Sequence, residues 1–174
     1  MKFDFGNTFV AVAPSRADVF KVEIVTTEKT ETRKNSDRVR FQARIIEGAK
    51  SGDGEKNCTV RDGFNLPNSG DDYMDGMMAR MWMQFFISVG YSQDDIRGKG
   101  FDFDKTNDSG AFEYLVGRTG YVKYAPADPE NGRQYPNTTW LTADQYAAAT
   151  NAQDEVATAQ STFGDSVEKI LEMD

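Results

Sequence analysis

Arg38, Arg40 and Arg44 fall on one side of the run RVRFQARIIEG, with Gln42 among them, and Val39, Phe41, Ala43 and Ile45 fall on the other. A β-strand turns successive side chains to opposite faces, so this spacing sends an apolar strip inward and a row of guanidiniums outward. A guanidinium stays charged at any working pH and offers a planar fork of donors that matches phosphate oxygens. The row is therefore suited to a polyanion. Arg33 and Lys34 precede it and Arg61 follows it, and residues 33–61 together hold eight cations against four anions.

Other chemistries are poorly served. The chain has no histidine, which removes Ser-His-Asp and Cys-His catalysis and zinc sites that use His. The single cysteine, Cys58, excludes an intramolecular disulfide and fits a reducing, cytoplasmic compartment. MKFDFGNTFVAVA carries a charge inside any apolar stretch, so neither a secretory leader nor a membrane span is expected there. Asp71/Asp72 and Asp94/Asp95 sit at helix starts, where the helix dipole accounts for them. In DFDKTNDSGAFE, Asp102, Asp104, Thr106, Asp108 and Glu113 have the offsets of a calcium loop, but Asn107 stands where the sharp turn needs glycine. No enzyme, cofactor or metal is expected; a metal-dependent nuclease using Asp102 and Asp104 is a distant alternative.

Five strands and a long helix have to position the arginines. Residues 1–18 read as an arm, 19–141 as one domain and 142–174 as a capped helix and tail. Val19 to Thr27 alternates as a first strand, Asp37 to Glu47 is the second, and Lys56 to Leu66 is the third, with Cys58, Val60 and Phe64 inward and Thr59 and Arg61 outward. Asp71 to Val89 reads as a helix with a Met-rich core stripe, ended by Gly90, and a short helical turn follows over Ser92 to Arg97. Tyr114 to Ala125 and Arg133 to Leu141 are the fourth and fifth strands. Thr142 and Gln145 form a capping box that opens the last helix.

The formal charge of −8 argues against a nucleic-acid partner until its placement is considered. Residues 142–174 hold one cation, Lys169, against seven anions, so most of the acidity is at the C-terminal end. That segment is too poor in large apolar residues to pack by itself.

The element order strand, strand, strand, helix, strand, strand is that of the OB-fold, a five-stranded Greek-key barrel. With the basic strand RVRFQARIIEG, the turn YLVGRTGYVKY, the segment YPNTTWLTADQY and the acidic ending EKILEMD, the chain resembles a family of small bacteriophage single-stranded-DNA-binding proteins over roughly residues 19–174. The resemblance implies a sequence-nonspecific protein that protects single-stranded DNA and recruits replication or recombination proteins through its tail, in the host cytoplasm. In such a barrel Arg33, Lys34, Arg38, Arg40, Arg44, Arg61, Arg118, Lys123 and Arg133 would contact the strand, and Phe64, Tyr121, Tyr124, Tyr135 and Trp140 are the rings available to stack on bases. The tail residues Asp165, Glu168, Ile170, Leu171, Glu172, Met173 and Asp174 would meet the partner, although the ending departs from the bacterial pattern of aspartates closed by Pro-Phe.

Plainer readings stand beside these. The arginine row could be a solvated strand face with cross-strand ion pairs, and the tail a solubilising extension. A protein-interaction module, such as a phage inhibitor or adaptor, could use the same barrel without DNA. An exposed edge strand allows a homodimer by sheet extension.

Overall fold

The computed structural model describes residues 12–31, 37–48, 55–99 and 110–151. Five antiparallel strands form a curled half-barrel: β1 (Asp18–Glu31), β2 (Asp37–Gly48), β3 (Thr59–Asn65), β4 (Thr119–Ala125) and β5 (Asn137–Leu141). Their order across the sheet is β3-β2-β1-β4-β5, so the first strand in the chain is the middle one. Three helices accompany them: α1 (Asp72–Ser88) and α2 (Gln93–Lys99) between β3 and β4, and α3 over 143–151 after β5.

The apolar strip of β2 is buried as its spacing requires, with Val39, Phe41, Ala43 and Ile45 all in the core. In register, Val39 faces Phe64 and Ala43 faces Val60 on β3, while Ile24 and Val22 approach from β1. Helix α1 closes this layer. Phe85 stacks on Phe41 at 4.5 Å, and Trp82 meets the rings of Phe41, Phe64, Phe85, Phe86 and Phe112 at 5.0 to 5.8 Å. Each such ring contributes about 1.5–3 kcal/mol by leaving water.

Both ends of α1 are set by sequence. Asp71 accepts from the Met74 N–H at 3.0 Å, an N-cap that satisfies one of the first-turn donors. At the other end Gly90 takes φ +96°, the Gly90 N–H donates to Ile87 O and the Tyr91 N–H donates to Phe86 O, which is a Schellman closure. Phe86 and Tyr91 then pack edge to face at 5.8 Å. Gly120 lets this end approach β4, because a Cβ there would lie 3.0 Å from Val89 Cγ1 and 3.1 Å from Ser88 Oγ. Ser88 Oγ uses the approach, donating to Tyr121 O and accepting from the Tyr121 N–H.

Several boundaries differ from the sequence expectation. β1 runs four residues beyond Thr27, to Glu31, after a bulge between Ile24 and Thr26 that absorbs two successive apolar residues. β3 begins at Thr59 and not Lys56, because 55–57 is a turn with Asn57 at φ +69°. The fourth strand starts at Thr119 and not Tyr114. Glu113–Leu115 is a 3-10 turn, and Gly117 at φ +88° redirects the chain into β4. β5 starts just after Pro136, which lacks the N–H a ladder needs. The capping box forms as expected, with Gln145 Oε1 accepting from the Thr142 N–H at 2.9 Å and Thr142 Oγ1 accepting from the Gln145 N–H at 3.2 Å. Residues 12–18, assigned to the arm by composition, are tied down. The Thr59 N–H donates to Val12 O, and Ser15 Oγ donates to Glu55 Oε1 at 2.7 Å.

Candidate nucleic-acid interface

On the outer surface of β1, β2 and β3 the register fixes which side chains are neighbours. Arg38 pairs with Asn65, Arg40 with Gly63, Gln42 with Arg61 and Arg44 with Thr59. From the β1 side Thr30 faces Arg38, Glu28 faces Arg40, Thr26 faces Gln42 and Glu23 faces Arg44. The structure thus brings four of the expected arginines onto one face.

They are not equivalent. Arg44 Nη2 donates to Glu23 Oε2 at 2.7 Å in a half-buried ion pair, which ties up that cation. Arg38 Nη1 donates to Asn65 Oδ1 at 3.2 Å, leaving its charge unopposed by that partner. Arg40 and Arg61 are exposed. Gly63, lying opposite Arg40, lets β3 approach β2 closely, since a Cβ there would lie 2.7 Å from Val39 O and 3.2 Å from Arg40 Cγ. Thr26, Glu28, Arg40, Phe41, Gln42, Arg61 and Asp62 line a depression of about 300 Å³.

Sequence reasoning missed the acids on this face. Glu23 and Glu28 enter it from β1, so the row is partly a cross-strand ion-pair surface. The bulge at Val25 explains Glu28, because it shifts the outward set from Lys21 and Glu23 to Thr26, Glu28 and Thr30. The adjacent apolar pair Ile24-Val25, which breaks strict alternation, was the available signal.

Three of the five rings proposed for base stacking are corrected. Phe64, Tyr124 and Trp140 are buried in the core, on the inward face of their strands, and offer no plane to a base. Tyr121 is half-buried and stacked on Tyr146 of α3 at 4.5 Å, while Tyr135 stands 81% exposed on the loop before β5. No aromatic ring stands on the outer face of β2 or β3, so what these strands present there is charge and hydrogen-bonding groups.

The remaining cations divide. Lys123 is exposed on β4 beside Thr139 of β5. Arg118 is a structural residue: it donates to Val89 O at 3.0 Å, answering a carbonyl at the end of α1, and lies 3.8 Å over the Tyr91 ring. Arg133 donates to Pro126 O at 3.3 Å and braces the β4-β5 loop. Arg33 and Lys34, the acidic segment 100–109 and the tail residues from Asp165 to Asp174 lie outside the described residues.

Asp62, also missed, is the inward residue between Val60 and Phe64. β3 and β5 end the sheet and do not pair, but the curl brings Trp140 Nε1 to donate to Asp62 Oδ2 at 2.8 Å, while the Gly63 N–H donates to Oδ1. Burial pushes the Asp62 carboxyl above the usual carboxylate range, and these two donors and Arg38 only partly oppose it. The fold therefore holds this proton more tightly than the unfolded chain does. The stabilisation is complete below the ordinary value of about 3.9 and is lost as pH rises through the folded value. Asp62→Asn offers one acceptor to two donors, so the wild-type advantage in urea midpoint over this variant is expected to widen as pH falls from 7 to 4. An advantage independent of pH would mean that the carboxylate is not desolvated.

Among the described residues no cluster of His, Cys, Asp or Glu is arranged to hold a metal ion, and no helix is long and apolar enough to cross a membrane. Compared with protein-family models and with curated proteins, the chain finds no match.

Proposed function

We propose that the half-barrel is an OB-type barrel and that the outer face of β2 and β3 binds single-stranded DNA, largely without regard to sequence. One observation carries this: Arg38, Arg40 and Arg61 share a single solvent face with Gln42 and Asn65, and no helix among the described residues covers it. The element order, with α1 between β3 and β4 and β5 meeting β3 through Asp62 and Trp140, supports the barrel assignment. The placement of charge supports the nucleic-acid reading, since residues 142–174 carry six of the eight net negative charges while residues 33–61 are net basic. Recruitment of replication or recombination proteins through the tail belongs to the same proposal.

Arg38, Arg40 and Arg61, none of them paired with a carboxylate among the described residues, would neutralise about three phosphates, giving a slope of about −2 for log affinity against log salt on a single strand. With few rings available, stacking adds less than in proteins that line their groove with aromatics. Fluorescence polarisation with labelled oligothymidylate over a range of salt tests this. Binding with that slope is expected, and no binding at low salt would end the nucleic-acid reading.

A second reading has its own observation. Tyr73, Met74 and Met81 are exposed along α1, beside a cleft of about 490 Å³ between α1 and β5 and near exposed Tyr135. Among the described residues β5 pairs only with β4, so no described strand takes up its other edge. An apolar patch at an unpaired strand suits a protein partner, and the module would then act through this side.

A further inference from the structure

The depression on the outer face contains a carboxylate that a pure phosphate grip does not need. Glu28 is exposed and stands opposite Arg40 in register, yet no ion pair joins them among the described residues; the carboxylate that does neutralise an arginine here is Glu23. Against a polyanion, an exposed acid between guanidiniums weakens binding unless it receives hydrogen bonds from the ligand. Phosphates and sugars of DNA supply no such donors, but base edges do.

We propose, building on the single-strand reading above, that Glu28, Arg40, Gln42 and Arg61 form a base-reading subsite selective for guanine. Guanine alone among the DNA bases sets two neighbouring acceptors, O6 and N7, beside two neighbouring donors, the N1 and N2 hydrogens. An arginine fork matches the first pair and is the commonest contact by which proteins choose this base. A carboxylate matches the second pair. Thymine offers one donor and no amino group. Adenine presents a donor where the guanidinium needs an acceptor, and cytosine offers Glu28 a single amino group. The depression, about 300 Å³, is at the lower end of small-ligand sites and suits one base. Gln42 and Thr26, with donors and acceptors of their own, complete its rim. The absence of a ring on this face among the described residues gives the subsite its importance, because a base lying here is held by its edge.

The full chain would be titrated with three labelled twelve-nucleotide strands: all thymidine, and thymidine with every third position replaced by deoxyguanosine or by deoxycytidine. The wild type is expected to prefer the guanine strand about tenfold. Glu28→Ala is expected to move the two affinities in opposite directions, tightening the all-thymidine strand by removing a negative charge and weakening the guanine strand until the preference is gone. Gln42→Ala, which leaves net charge unchanged, should reduce the preference without tightening thymidine. Equal wild-type affinities, a uniform tightening in Glu28→Ala, or a preference for the cytosine strand would each overturn the subsite while leaving the phosphate-binding face intact. Failure of all three strands to bind would instead remove the single-strand reading, and the subsite with it.

Discussion

The double variant Arg40→Ala/Arg61→Ala is expected to bind a single-stranded oligonucleotide about 25-fold more weakly than the wild type at about 0.1 M salt. Each phosphate contact adds about −0.7 to the salt slope, which amounts to about fivefold in affinity for every tenfold dilution of salt below 1 M. Losing two contacts therefore takes the slope from about −2 to about −0.7. Both side chains are exposed, so the fold should tolerate the change. Salt titrations of the two proteins side by side give the answer. Unchanged affinity with unchanged slope would move the grip to other cations and leave this face an ordinary ion-pair surface. Arg118→Ala serves as the contrast, since it also removes a guanidinium, one charge instead of two, but should act on stability through Val89 and Tyr91.

Trp82→Ala should have the largest effect on the fold, about 3–5 kcal/mol. Trp82 is fully buried where the rings from α1, β2 and β3 meet, and its indole N–H donates to Asn65 O at 2.8 Å. Truncation opens a cavity and also leaves that carbonyl without its partner. Against a typical domain stability of about 5–15 kcal/mol this is about a fifth of the total or more. Trp82→Phe keeps most of the ring and loses the donor, so it should cost about 1 kcal/mol or somewhat more. Urea unfolding of the three proteins measures both, and a cost below about 1 kcal/mol for Trp82→Ala would show that the aromatic cluster is not what joins α1 to the sheet. Asn65 also accepts from Arg38 through its side chain, so a shift of β3 in this variant should reach the outer face as weaker oligonucleotide binding.

How much of this was legible in the chain depends on which force fixed each part. The inward strip Val39, Phe41, Ala43 and Ile45 was, because burial alone enforces a period of two on a half-buried strand. The ends of α1 and the start of α3 were, because Asp71, Gly90 and the Thr142/Gln145 pair act on backbone groups a few residues away. The partners of the arginines were not. Glu28 stands opposite Arg40 only because of a bulge, and the ion pair of Glu23 with Arg44 depends on a register set by the whole sheet. Trp140 and Tyr124 illustrate the same limit: a large amphipathic ring suits a core or a stacking platform equally well, and strand parity decides. Asp62 was readable, since Val60 and Phe64 inward require it to point inward as well. Its polar character concealed that.

The central place of β1 also governs the order in which the molecule can be assembled. Its two neighbours arrive at very different times, since β2 follows within a few residues whereas β4 lies nearly a hundred residues downstream. A growing chain that has reached β3 holds a three-stranded meander with Phe41 and Phe64 uncovered, and these rings gain their lid only once α1 is made. The far side of β1 waits longer still. Closing so wide a loop is slow relative to local pairing, so the half-made protein must spend part of its synthesis with sticky surface and an unpaired edge.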